Sequence, residues 1–479
     1  MVNFRLIYGT RSAMSLSKRS CPSPISKKAL QSFVFFVIII FEYTSKYTER
    51  IIFPMNTNEM YQLIVSGGLD AELGALYGKD KLELQRPRYA KAVQSFEELY
   101  GAQQVHLFTV AGRSEISGNH TDHNYGRVIA ASIDLDIIAV AAKTDKPEIR
   151  IKSEGFPEDC VDITGLAVDE NKFFRSEAII SGVCKGFEND GYTVGGFVAY
   201  TTSNVLKGSG LSSSAAFEDM VGNILNHLYN DGKIDNAKIA MISQYAENVY
   251  FGKPCGLMDQ VACAMGGFVA IDFADPKAPV IEKMDFDLTG AGYNLCIVNT
   301  GGNHADLNED YASVPAEMKA VAAFFGKPVL RDVSREDILA NIPALREACG
   351  DRAILRAIHF KNENERVAAQ TAALEKGDLQ AFFDGVKESG RSSFCYLQNV
   401  YTTKNVREQG LSLALALAEG YLAGRGGAWR VHGGGFAGTI QAYVKNEDVD
   451  GYRALMDGAF GEGACIVLKV RAVGAGLVK

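Results

Sequence analysis

One stretch, "GGFVAYTTSNVLKGSGLSSSAAFEDMVGNILNHLY" (195–229), limits what this chain can fold into more than any other. An apolar run rich in β-branched and aromatic residues enters a loop of two glycines and a triple serine, and a helical pattern leaves it. In that pattern Val221, Ile224, Leu225 and Leu228 recur at i, i+3, i+4 and i+7, so they share one face. The strand needs a sheet and the helix face needs a core, so the chain must mix both kinds of element. The loop glycines let backbone approach an anion, and the first-turn N–H groups of the helix point outward unpaired. The serines cap the helix and offer hydroxyls to phosphate or a metal. No Gly-Lys-Ser/Thr closes the loop, so it is not a Walker A loop. Ser213 stands where G-x-G-x-x-G needs its third glycine. On these residues alone, an anion-binding loop and a flexible capped turn both remain open.

The rest of the chain from Asn56 is mixed in the same way. "VHLFTVAGR" (105–113) predicts a strand running into a loop, and "RVIAASIDLDIIAVAAK" (127–143) a long strand or a pair. "EIRIKSEG", "FVAIDF" and "NLCIVNT" are further strand candidates, and 236–252 predicts a second helix. From about residue 305 the pattern is mostly helical, closing with strand candidates "GGGFAGTIQAYVK" and "ACIVLKVRA". Two α+β halves, 55–290 and 291–479, are expected.

Residues 1–54 do not match the remainder. They carry eight lysines and arginines against two glutamates, a net of +6 in a chain of net −8. "FVFFVIIIF" (33–41) resembles a signal-peptide core, but no small-residue cleavage site follows, and it is short of the roughly 20 residues of a bilayer span. The segment is expected to lie outside the fold, as sequence upstream of a true start at Met55 or as an unstructured extension, with a membrane or export element as the alternative. A hydrophobic content of 47% and charged content of 22% fit a soluble globular protein, and the net acidity excludes a broad nucleic-acid surface. The nine cysteines form no C-x-x-C pair, which predicts buried free thiols in a reducing compartment.

"GNHTDHN" (118–124) sets His120, Asp122 and His123 within four positions. Zinc sites usually gather three or four ligands from more than one segment, and no H-x-x-x-H or cysteine pair lies nearby, so metal binding is the weaker reading. Alternating donors and acceptors suit a polyol.

These stretches carry a specific resemblance. "GSGLSSSAA" resembles the phosphate loop of the GHMP small-molecule kinases. "GRSEISGNHTDHNYG" (112–126) resembles the sugar signature of the galactokinase branch, usually G-R-V-N-L-I-G-E-H-T-D-Y-N-x-G. "ENVYFGKPCGLMDQ" (247–260) is similar to that branch's E-x-x-x-x-G-x-x-C-G-x-M-D-Q, and "RVHGGGFAGT" (430–439) to its third motif. All four occur in family order.

The resemblance implies an α+β fold of two-domain GHMP kinase architecture. Its N-terminal lobe would be like domain 2 of ribosomal protein S5, its C-terminal lobe ferredoxin-like, and the active site would lie in the cleft between them. It implies ATP-dependent phosphorylation of a sugar's anomeric hydroxyl, first of α-D-galactose. N-acetylgalactosamine or L-arabinose are alternative substrates, and a non-catalytic sugar and ATP sensor is the alternative role. A cytoplasmic, monomeric chain without membrane or nucleic-acid partners goes with it.

Residue by residue, Gly208, Ser209, Gly210, Leu211, Ser212, Ser213 and Ser214 would wrap the triphosphate, with Ser214 and Glu247 holding Mg2+. Asp259 would be the catalytic base, and Arg113 its partner and a charge beside the transferring phosphoryl. Asn119, His120, Asp122, Gly256 and Tyr311 would contact the sugar, the last seven residues after His304. Three departures stand out: Asn119 for glutamate, His123 for tyrosine and Ala437 for glycine. The first puts the grip on one sugar hydroxyl, and so the substrate, in doubt.

Overall fold

The computed structural model describes residues 55–205, 210–302 and 307–479. The expectations for residues 1–54, Gly208, Ser209 and His304 lie outside them. Thirteen strands among the described residues fall into two sheets. The larger holds β1 (Met55–Asn56), β2 (Gln104–Ser117), β3 (Arg127–Lys143), β4 (Glu148–Ser153), β5 (Glu158–Asp162), β6 (Phe197–Ser203), β7 (Phe268–Asp272) and β8 (Val280–Met284). The smaller holds β9 (Tyr293–Asn299), β10 (Ala428–His432), β11 (Thr439–Lys445) and β12 (Cys465–Leu468), in the antiparallel order β10–β11–β9–β12. Strand β13 (Ala475–Leu477) then returns to the larger sheet and pairs with β2.

The larger sheet runs β1–β2–β3–β6–β4–β5, with β7 and β8 continuing from β3. Strand β3 serves two partners in succession: Arg127–Ala131 pair with β7, and Ile137–Lys143 with β6. It is buried along nearly all its length, which explains its near-continuous apolar sequence. Leu107, Ile138, Val140 and Val198 pack on one face against Met60, Tyr89, Val93 and Phe96 of the N-terminal helices. Phe108, Val110, Ala139 and Phe197 point the other way, toward Ile179, Val183, Val221, Ile224 and Leu225. The helix Ser213–Tyr229 thus buries the predicted face, each large side chain contributing about 1.5–3 kcal/mol. Its fourth member, Leu228, is only half-buried.

Two predicted boundaries move. Strand β2 does not enter a loop at Arg113 but continues to Ser117, because its ladder with β3 resumes past register shifts at Ala111/Arg113 and Glu115/Ser117. Such bulges re-aim successive side chains, and here they act on the sugar motif itself. The helix predicted over 236–252 is α-helical only over Asn236–Tyr245. A π-helical turn, Ala246–Phe251, completes it and ends at Gly252 in the left-handed region. The wider turn carries Glu247.

Helices Gly410–Leu422 and Val449–Phe460 cover the smaller sheet through Ala414, Ala418, Tyr452 and Met456. Phe382 and Phe383 of Leu379–Ser392 join Tyr443 of β11 to the core of the larger sheet. The 25-residue helix Asp351–Glu375 reaches back to the sugar motif, where Asn364 Oδ1 accepts the Arg127 N–H at 2.8 Å. No disulfide forms among the described residues, and Cys160 and Cys395 are exposed rather than buried as predicted. Among the same residues no helix is long and apolar enough to cross a membrane.

Candidate active site

Arg113 on β2 and Asp259 in the first turn of the helix Met258–Met265 form a bidentate pair. Nε donates to Oδ1 at 2.8 Å and Nη2 to Oδ2 at 2.7 Å. Arg113 also ties this pair to the glycine–serine loop. Its Nη1 donates to the Gly210 carbonyl, and its backbone N–H to the Leu211 carbonyl at 3.1 Å. Ser212 precedes the helix Ser213–Tyr229 with φ +56°, a left-handed conformation that strains a residue bearing a Cβ. The serine-cap expectation fails here: its hydroxyl makes no bond to its own helix and instead donates to Asp259 Oδ2 at 2.5 Å. Burial pushes the Asp259 carboxyl up, but Arg113 and Ser212 together hold it below the usual aspartate range. A third of the side chain, 34%, stays open.

The sugar motif is fastened to the third motif from the far end of the chain. His120, at φ +58°, donates from Nε2 to the Gly434 carbonyl at 2.9 Å. Burial lowers its pKa to about 4, so near neutral pH the ring is uncharged and Nδ1 is left as an acceptor. The Tyr311 hydroxyl donates to the Gly435 carbonyl at 2.8 Å, and its ring lies where a Cβ on Gly434 would fall, 2.7 Å away. Asp122 faces Gly256, where an added Cβ would stand 2.9 Å from Oδ2, so the glycine makes room for the carboxylate. Behind these, His432 bridges Ser114 (3.1 Å) and Thr439 (2.8 Å), and a Cβ added at Gly210 would stand 3.4 Å from its ring.

Asn119 is the predicted sugar contact that the structure does not bring to the cleft. It is fully buried. Its Nδ2 donates to the Gly433 carbonyl at 2.6 Å and to Glu115 Oε1 at 3.2 Å. Its Oδ1 accepts from Asn399 at 2.8 Å and from Ser393 at 3.3 Å, and its carbonyl accepts from His359 Nε2 at 2.9 Å. Every polar atom of the side chain is used within the protein.

A cavity of about 840 Å³ opens at the start of the helix Ser213–Tyr229. Phe156, Phe174, Phe217 and Phe251 form its apolar side, and Ser213, Ser214 and Glu218 its polar end. The helix N-terminus brings unpaired N–H groups and a partial positive charge to that end.

Glu218 and Glu247, both buried, share one donor: Gln260 Nε2 reaches them at 3.0 and 2.8 Å. Lys253 adds a bond to Glu247 at 2.9 Å from the exposed side. Burial and then the adjacent Glu247 charge push the Glu218 carboxyl up to about 8. This oxygen set is short of positive charge, which fits a hard cation such as Mg2+. Among the described residues no three His, Cys, Asp or Glu side chains gather into a metal cage. Mg2+ needs none, since one or two carboxylates suffice when phosphate and water complete its shell.

Of the residues that the motifs indicated, the structure joins Arg113, Asp259 and Ser212, ties His120 and Tyr311 to the glycines of the third motif, sets Asp122 against Gly256 and holds Glu247 on Gln260. Glu218, Glu115, Arg430 and His432 were missed. Glu218 lies one helical turn after Ser214, a spacing that signals a shared face. Glu115 replaces an asparagine of the sugar signature, a signal present in the motif itself.

The chain resembles known proteins in sequence and in fold. A model described as the GHMP kinases N-terminal domain matches residues 178–267, and one described as the galactokinase galactose-binding signature matches 94–143. A galactokinase of Streptomyces coelicolor is 32% identical over 372 residues, covering 77% of this chain and 92% of that relative. Among solved structures, Lactococcus lactis galactokinase complexed with galactose aligns with a TM-score of 0.66 at 24% identity, over 80% of this chain and 98% of that one. Methanococcus jannaschii mevalonate kinase aligns with a TM-score of 0.53 at 14% identity, over 76% and 98%. At these identities the structural likeness is one of fold.

Proposed function

The chain belongs to the galactokinase family of GHMP kinases, and from that premise we propose that it moves the γ-phosphoryl group of ATP onto the anomeric hydroxyl of α-D-galactose, giving galactose 1-phosphate and ADP. The observation that carries this reading is the cluster Arg113–Asp259–Ser212–Gly210, which joins an open carboxylate to a phosphate-type loop through one guanidinium.

The apolar cavity takes the nucleoside, a role its volume and four phenylalanines suit. The triphosphate then lies along Gly210–Ser214 at the helix N-terminus, and the motif match assigns Gly208 and Ser209 to the same role. Ser214 and Glu247 would hold Mg2+, with Glu218 beside them. When bound, the ion neutralises charge on the phosphates. His120 and Asp122 orient the sugar hydroxyls, His120 as an acceptor through Nδ1 and Asp122 as an anionic acceptor. Tyr311 and Gly256 shape the pocket around the ring.

Asp259 accepts the proton of the anomeric hydroxyl as the O–P bond forms and the bond to ADP breaks. Arg113 keeps this carboxylate ionised and therefore available at neutral pH. It also makes it a weak base, so the proton moves late, once bonding to phosphorus has made the sugar oxygen acidic. Positioning and charge do most of the work.

The test is a panel of monosaccharides offered with ATP and Mg2+ and followed by ADP release. Galactose is expected to give the highest kcat/KM, above N-acetylgalactosamine and L-arabinose. Binding of galactose without turnover, or a preference for another sugar, overturns the reading.

A further inference from the structure

The sugar signature this chain resembles runs G-R-V-N-L-I-G-E-H, whereas the chain itself runs Gly112-Arg113-Ser114-Glu115-Ile116-Ser117-Gly118-Asn119-His120. The amide and the acid of the pattern have traded places. In the structure the two exchanged side chains touch, Asn119 Nδ2 donating to Glu115 Oε1 at 3.2 Å. Position 119 offers nothing further to a ligand, since its amide is buried and fully used.

Glu115 is different. Its Oε1 also accepts from Arg430 Nη2 at 2.7 Å, in an ion pair whose side chains are 9% and 0% exposed. Arg430 is itself fixed by bonds to the carbonyls of Ile116 (3.1 Å) and Val431 (2.9 Å). The carboxylate is therefore pinned from one side only. Among the described residues its second oxygen, Oε2, accepts no hydrogen bond. Its surroundings are Arg113, two positions away on β2, whose charge it feels, Arg430, and Asn119, which holds the Gly433 backbone of the third motif. Burial pushes the carboxyl up against the pull of Arg430 and leaves it short of donors. A nearly buried anionic acceptor with an unused oxygen is a site waiting for a hydroxyl.

We propose that Glu115 is the carboxylate that selects the sugar, its Oε2 accepting a hydrogen bond from one ring hydroxyl while Asn119 and Arg430 position it through Oε1. This rests on the sugar-kinase reading and deepens it. Charge lost at position 119 is supplied from position 115, so the pocket keeps an acid but presents it from a different point on the motif. The substrate remains a polyhydroxylated ring with a hydroxyl directed at β2.

The experiment pairs the variant Glu115→Gln with a set of monodeoxygalactoses, and KM for sugar and for ATP are measured on folded enzyme. Glu115→Gln is expected to raise the galactose KM about five- to twentyfold, the difference between a charged and a neutral acceptor, with the ATP KM changed less than about twofold. The penalty should vanish for the one deoxy sugar that lacks the hydroxyl Glu115 holds, and persist for the others. An equal penalty with every deoxy sugar, parallel rises in both KM values, or no penalty at all overturns the proposal. If the amide variant does not fold, Glu115→Asp keeps the charge for Arg430, shortens the reach and is judged by the same pattern. Wild-type turnover separates the two readings. If no sugar is phosphorylated, the kinase reading fails, and the cycle is read instead from calorimetric binding of the same sugars. Absence of any such binding overturns both.

Discussion

In the proposed reaction Asp259 carries two demands that pull in opposite directions, since it would accept a proton and yet is held ionised by Arg113 and Ser212. Asp259→Asn is expected to lower kcat by about two to four orders of magnitude with little change in the KM for ATP, measured by ADP release on protein whose circular dichroism spectrum shows it folded. Because the folded pKa lies below the unfolded one, this carboxylate stabilises the fold above the ordinary aspartate range, and that contribution is lost as the pH falls through the folded value. The variant should therefore lose less stability in acid than the wild type. Glu218 has the opposite sign. Its pKa rises from 4.5 to about 8, so its contribution is full below pH 4.5 and disappears as the pH climbs toward 8. Glu218→Gln, without added Mg2+, is expected to melt several degrees above wild type at pH 8 and about level with it at pH 5, by differential scanning calorimetry. Mg2+ with ATP should close that gap. Arg113 and Asp259 could be found from motifs because each sits in a contiguous signature. The Ser212–Asp259 bond could not, because it depends on a left-handed turn at a serine, which no spacing rule foresees.

At the scale of single elements, hydrophobic pattern gave β3, β4, β6, β7 and β9 close to their observed limits, since long apolar or alternating runs leave few alternatives. It missed β5 and β8, whose charged residues break any pattern, and the three-residue β13. It also missed what fixes β13: Arg471, fully buried, donates to Asp136 Oδ2 at 2.9 Å and to Thr109 at 3.0 Å. Arg88 and Tyr77 bind the same carboxylate from the N-terminal helices, at 2.6 and 2.5 Å. Four elements distant in sequence meet at one aspartate, and such a node is invisible until the chain is folded. Arg471→Ala is expected to destabilise the protein by about 3 kcal/mol, the low end for breaking a buried pair because Arg88 remains, read from the urea midpoint. A glycine supplies a second case. Gly435 has φ +78°, and a Cβ there would run into the Asn399 backbone carbonyl, so Gly435→Ala should displace the turn that holds Tyr311 and raise the sugar KM more than the ATP KM.

For the molecule as a whole, the pattern of elements led to an expectation of two α+β halves, 55–290 and 291–479; the described residues hold two sheets, and β13, from the second half, joins the larger one. How they depend on each other was not readable. Asn119 and His120 are held by Gly433 and Gly434, and Glu115 by Arg430, so the sugar motif owes its shape to residues some three hundred positions away. A fragment of residues 55–290 is accordingly expected neither to melt cooperatively nor to bind galactose. Calorimetry would show this, and a fragment that binds the sugar as the full chain does would refute it. Strand β13 adds a matter of timing. Together with β1 it covers the outer edge of β2, at Phe108–Val110, and it is translated after everything else in the sheet. While the second half is still being translated that edge hangs open like an unfastened seam, able to zip onto a neighbouring nascent chain. Slow decoding just upstream of residue 475 would lengthen this window and lower the yield of soluble enzyme without altering a single atom of the finished one.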